Sequence, residues 1–60
     1  MRSLKGIRFD LDMTQADMAK KLGISELSYR NKEKGRTGLT AKELIIISEL
    51  ANIDPREIKL

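Results

Sequence analysis

The sequence has no cysteine and no histidine. Without cysteine, no disulfide staples the fold and no thiolate holds a metal. Without histidine, the commonest general base, the commonest metal ligand and the usual switch near neutral pH are all missing. Valine and tryptophan are absent too, and Phe9 and Tyr29 are the only aromatic residues. Strand signals are therefore scarce. No apolar stretch approaches the ~20 residues of a membrane span. The longest, Leu44-Ile45-Ile46-Ile47, lies inside a helical pattern. Met1-Arg2-Ser3-Leu4-Lys5-Gly6 has no signal-peptide core. The expected location is the cytoplasm, and the lack of cysteine fits a reducing interior. With no paired acid, base or nucleophile and too little chain to enclose a pocket, an enzyme is not expected, nor a cofactor, a metal or a small-molecule substrate.

What is present is one small domain of 60 residues. A chain this short hides only ~60% of the surface its unfolded form exposes. Twelve Lys and Arg face nine Asp and Glu, for a net charge of +3. That balance points to an anionic partner such as nucleic acid, although many inert small domains are equally basic.

Helix start and stop signals are dense. Leu4, Ile7 and Leu11 recur at helical spacing and predict a first helix over Leu4 to Asp10, capped by Ser3. Gly6 inside it costs ~1 kcal/mol relative to Ala. Asp12 stands where a helix-ending residue turns left-handed. Thr14 with Asp17 resembles a capping box and opens a second helix, Gln15 to Leu22, which Gly23 ends. Ser25 caps a third helix, Glu26 to Glu33, closed by Gly35. Thr40-Ala41-Lys42-Glu43 is a clean capping box and begins a fourth helix of about twelve residues, ending near Ala51 or Asn52. Asp54 then caps and Pro55 suits a first helical position, so Arg56 to Leu60 are expected to form a short fifth helix. The expected fold is all-α, with a core of Leu4, Ile7, Met18, Ala19, Leu22, Ile24, Tyr29, Leu39, Leu44, Ile47, Leu50, Ile53 and Ile58. Tyr29 is expected to hold its hydroxyl at the rim.

The third helix is polar nearly all round, so burial alone gives it little reason to exist. Only Gly23-Ile24-Ser25 join it to the second. A three-residue turn containing Gly sets two helices at ~90–120°, the helix-turn-helix arrangement. An eight-residue helix is ~12 Å long, and its width suits a major groove ~12 Å across.

The run Thr14-Gln15-Ala16-Asp17-Met18-Ala19-Lys20-Lys21-Leu22-Gly23-Ile24-Ser25, followed by Tyr29, Glu33 and Gly35, resembles the helix-turn-helix of the phage repressor and Cro class, also called XRE-like or lambda-repressor-like. Leu4-Lys5-Gly6-Ile7-Arg8 upstream and Ile53-Asp54-Pro55-Arg56-Glu57-Ile58 downstream extend the likeness over nearly the whole chain. The resemblance implies a five-helix domain that regulates transcription by binding a pseudo-palindromic double-stranded operator, usually as a homodimer. It implies that Gln15 bonds a phosphate and braces the first recognition residue. Glu26, Leu27 and Asn31 fall where the family reads bases, with Ser25, Ser28 and Arg30 beside them. Lys34, Arg36 and Thr37 fall in the loop that meets the opposite backbone. Arg8 and Glu33 fall where the family forms a partly buried ion pair. Two positions depart from the pattern. Lys32 stands where an apolar residue is common, and Arg30 where Ser or Thr is common.

Charge is distributed accordingly. Residues 20–36 carry six basic and two acidic side chains, a net of +4, whereas the rest of the chain nets −1. Each candidate also has a plainer reading. Gln15 is a good helix former after a cap, and Ser25 is first an N-cap. Glu26 suits the helix dipole and stands four residues before Arg30, the favourable order for an ion pair. As a DNA contact it would accept from cytosine N4. Leu27 meets a thymine methyl or is a solitary exposed apolar residue. Asn31 pairs with adenine or is simply solvated. Lys20 and Lys21 read as a solvated face. Ile46 is a candidate dimer contact, because four successive apolar residues on one helix leave at least one exposed. The competing class is a protein-docking regulator of antitoxin type, anchored by Leu27 and the Ile45-Ile46 surface.

Overall fold

The computed structural model describes residues 1–59. Four α-helices and one 3-10 turn follow in order: α1 (Leu4–Asp10), α2 (Gln15–Leu22), α3 (Glu26–Glu33), α4 (Ala41–Ala51) and the turn Pro55–Glu57. Together they occupy 25 × 22 × 18 Å. Among the described residues, no helix is long and apolar enough to cross a membrane.

Every α-helix starts on a hydroxyl. Ser3, Thr14, Ser25 and Thr40 accept from the backbone N–H of Gly6, Asp17, Ser28 and Glu43. Asp17 and Glu43 return the bond to the N–H of Thr14 and Thr40 at 3.0 and 2.8 Å, completing two capping boxes. Gly6 fits the first cap closely, since a methyl there would stand 3.1 Å from the Ser3 hydroxyl.

All four helices also stop the same way. A residue at positive φ follows each: Asp12 (56°), Gly23 (70°), Gly35 (77°) and Asn52 (55°). Its N–H reaches back three residues, and the next N–H reaches back five. This is the Schellman pairing, and it satisfies carbonyls the helix end would otherwise leave open.

The fifth helix expected over 56–60 does not form. Asp54 does cap, but one 3-10 turn follows, and Ile58 is extended at φ −84° and ψ 125°. Arg2 takes the backbone groups a helix would have used. The Arg2 N–H donates to the Glu57 carbonyl and the Lys59 N–H to the Arg2 carbonyl, both at 2.7 Å. The extended geometry lets Ile58 enter the core. The last residue of the expected helix, Leu60, lies outside the described residues.

Leu4, Ile7, Met18, Ala19, Leu22, Tyr29, Ile47 and Ile58 form the buried core. Ile24, Leu39, Leu44, Leu50 and Ile53, also expected inside, are partly buried against it, together with Leu11, Met13, Ile46 and Ala51. Ile46 is thus only partly buried, while Ile45 beside it stays 54% exposed. α2 and α3 pack on each other more extensively than any other pair of elements. The turn at Gly23 sets that packing. A Cβ there would touch nothing, so only backbone strain opposes a side chain. Gly23→Ala is expected to lower the unfolding free energy by ~1–2 kcal/mol. Gly23→Asn, more tolerant of left-handed backbone, should lose less; urea titration of the three proteins measures the order.

Candidate nucleic-acid interface

α3 has one apolar anchor, Tyr29, which is fully buried. The rest of its hold is polar and lies at its C-terminal half. The Glu33 carboxylate is a sink for four hydrogen bonds. Arg8 donates from Nε at 2.6 Å and from Nη2 at 3.4 Å. Tyr29 donates its hydroxyl at 2.5 Å, and Gln15 donates from Nε2 at 3.2 Å. The Tyr29 hydroxyl thus turns into this cluster instead of the rim, because a buried carboxylate offers it an acceptor. Arg8 also donates from Nη1 to the Met13 carbonyl at 3.0 Å, which ties the end of α1 to the same point.

This cluster shifts the ionisation of its members. Burial drives the Glu33 carboxyl up, but hydrogen bonds from Arg8, Tyr29 and Gln15 outweigh it and hold the group below its ordinary value. The bond to Glu33 raises Arg8. Burial, with the bond to Glu33, raises the Tyr29 phenol.

A second clasp starts from the preceding residue. Lys32 Nζ lies 3.1 Å from Glu43 Oε1 and donates to the Gly38 carbonyl at 3.0 Å. Glu43 is buried, and it also closes the capping box of α4. The cation at position 32 is therefore a strut between α3 and α4, and the sequence reading gave it no such role. Burial drives the Glu43 carboxyl up, but bonds from the Thr40 N–H and from Lys32 hold it below its ordinary value.

The outward side of α3 is exposed. Leu27 is 67% exposed, and Glu26, Ser28 and Arg30 are open to solvent beside it. Leu27, Asn31 and Lys34 follow one line at spacings of four and three residues, with Asn31 half-buried. Ser25 accepts from the Ser28 N–H and donates to the Ser28 hydroxyl at 3.0 Å. Arg36 and Thr37 are exposed in the segment that follows. Gln15, Arg30 and Glu26 are brought together: Arg30 donates from Nε to Gln15 Oε1 at 3.1 Å and from Nη2 to Glu26 Oε2 at 2.6 Å. Lys20, Lys21, Lys34 and Arg36 make no ion pair with the described residues.

The sequence reading gave Phe9 no place. It is 63% exposed, with the Arg8 guanidinium carbon 4.8 Å and the Lys5 ammonium 5.7 Å from its ring centroid. The four-residue spacing of Lys5 and Phe9 was the available signal. Among the described residues, no acidic group is clustered so as to hold a metal ion.

The Glu33 cluster predicts a stability profile. Arg8→Met or Glu33→Leu alone should cost ~3–5 kcal/mol, because each leaves a buried charge unpaired, whereas the double variant should cost less than the sum. The folded carboxyl binds a proton more weakly than the unfolded one, so its contribution is present above pH 4.5 and lost as pH falls through the depressed folded value. Urea midpoints of wild type and Glu33→Gln between pH 3 and 7 should show a shallower acid decline in the variant.

The family model described as helix-turn-helix matches residues 4–58. Neither a curated protein nor a solved structure gives a significant match. With a short turn at Gly23, a single buried anchor on α3 and a match over almost the full length, the chain belongs to the XRE and lambda-repressor-like helix-turn-helix family of DNA-binding transcription regulators.

Proposed function

We propose that the chain is a sequence-specific regulator of phage repressor and Cro type, which lays α3 in the major groove of a pseudo-palindromic operator. The observation that carries this reading is the outward side of α3, where Glu26, Leu27, Ser28 and Arg30 are exposed while Glu33 and Lys32 tie the helix to α1 and α4. Glu26, Leu27 and Asn31 meet base edges: Leu27 suits a thymine methyl, and Asn31 an adenine. Ser25, Ser28, Lys34, Arg36 and Thr37 take the flanking phosphates. Gln15 has given one amide proton to Glu33, and its second serves a phosphate at the N-terminus of α2. Lys20, Lys21, Lys34 and Arg36, free of ion pairs with the described residues, supply the attraction.

The homodimer forms, in this reading, through α4. Ile45 is exposed, with Lys42 and Glu49 exposed about one turn to either side. Antiparallel pairing about a two-fold axis at Ile45 would set Lys42 of each copy against Glu49 of the other. Two copies would offer their α3 helices ~34 Å apart, one duplex turn. The exposed Leu27 favours, as a second reading, a protein-docking module of antitoxin type.

Retention on heparin with a steep salt dependence is expected, and salt-independent behaviour would favour the docking module instead. On selected DNA, Arg36→Ala should weaken all sequences alike and reduce the salt slope by about one, while Asn31→Ala should relax preference at one base pair by ~1–3 kcal/mol. Ultracentrifugation of Ile45→Asp should show loss of dimer, and unchanged dimerisation removes the α4 contact.

A further inference from the structure

We propose that Glu26 sets base preference at one operator position and that Arg30 is the positioning residue that aims it, an assignment that rests on the DNA-reading role above. Arg30 lies on the outward side of α3 and is half exposed. Its guanidinium, however, is already engaged twice. Nε donates to Gln15 and Nη2 to Glu26.

The orientation of these groups is dictated from inside the molecule. Glu33 is an ionised carboxylate and only accepts. The Gln15 carboxamide must therefore present its NH2 to it, and does so at 3.2 Å. That turns Oε1 of Gln15 outward, where it can only accept. Arg30 Nε meets it at 3.1 Å. A guanidinium is planar and its donors sit in a rigid fork, so placing Nε fixes the direction of Nη2. Nη2 meets Glu26 Oε2 at 2.6 Å. One unbroken run of donors and acceptors thus leads from a buried carboxylate to an exposed one, and each link permits only one polarity.

Glu26 is the first residue of α3, with its side chain 44% exposed. Its Oε2 is held, and its Oε1 has no hydrogen-bond partner among the described residues. An aimed acceptor at the entering end of a reading helix suits an exocyclic amine in the major groove, above all cytosine N4. A bare carboxylate would be repelled by the phosphates, and Arg30 neutralises it. The pair as a whole is electroneutral, so it contributes selectivity with little general attraction. A direct phosphate contact by Arg30 would do the reverse.

The test uses the full chain and the half-site obtained by selection from a random duplex pool. Affinity is measured for that site and for each single base-pair change, at several salt concentrations. Wild type should prefer C·G at one position by about tenfold or more. Glu26→Gln should shift that position toward A·T, since a carboxamide pairs with adenine. Arg30→Lys keeps the charge and loses the fork; it should flatten the same position by a similar factor and leave the other positions and the salt slope unchanged. Thermal unfolding should confirm that both exposed variants remain folded. Arg30→Lys weakening every sequence equally, altering a different position, or altering none would overturn the assignment, as would Glu26→Gln without effect. If wild type ranks no duplex above another, the DNA-reading role itself fails, an outcome distinct from these.

Discussion

The carboxylate of Glu33 joins three helices at one point. It takes donors from Arg8 on α1, Gln15 on α2 and Tyr29 on its own helix. This matters because α3 has almost no oil to hold it. Hydrophobic burial is strong but has no direction, and one Tyr ring leaves a short helix free to roll about its axis. Hydrogen bonds weaken steeply when bent. Four of them converging on a single group, with the Lys32–Glu43 clasp beside it, fix the roll. A buried ion pair is weak evidence of stability and often contributes little against apolar replacements. Here its evident product is orientation, the quantity that a helix needs if its outer side chains are to meet fixed atoms on another molecule.

The same arrangement resolves the two departures from the family pattern. An apolar residue at position 32 would pack α3 by contact alone. Lys32 instead spans to Glu43, and Glu43 is at once the partner of Lys32 and the capping acid of α4. One carboxylate therefore couples the start of α4 to the flank of α3. Arg30, in place of a small hydroxyl, bridges Gln15 and Glu26. In both cases a long cation stands where the family pattern has an uncharged residue, and it is paired with a carboxylate. The charged residues of this region are thus of two kinds: structural members with partners, and exposed cations with none among the described residues.

Helix limits were legible in the sequence because they are decided locally. A hydroxyl before each helix and a Gly or Asn after the second, third and fourth act within one turn, so Ser25 and Gly35 bound α3 whatever the remainder of the chain does. The core was legible from spacing, and its eight buried members were all expected. The last segment was not, since Asp54 and Pro55 do open a turn but its continuation is decided by Arg2, more than fifty residues away in sequence. The direction of the Tyr29 hydroxyl and the links of Gln15 were hidden for the same reason. Each depends on a partner contributed by a different helix, and no local pattern encodes it. Glu26 with Arg30 lay between these cases: the four-residue spacing announced a pair, but the Gln15 oxygen that orients it comes from α2.

Salt separates the two kinds of charge. Exposed ions are screened beyond ~8–10 Å at ordinary ionic strength, while buried pairs are screened far less. The side chains of Arg8 and Glu33 are no more than 9% exposed, and those of Lys32 and Glu43 no more than 12%. Rising salt therefore weakens what draws this surface to a polyanion and leaves intact what orients α3. The orientation of α3 therefore depends on pairs that salt screens weakly. Such a division also explains how so small a chain carries a nearly apolar-free helix on its surface. The helix is held by partners largely shielded from water and salt, and its far side is left open to both.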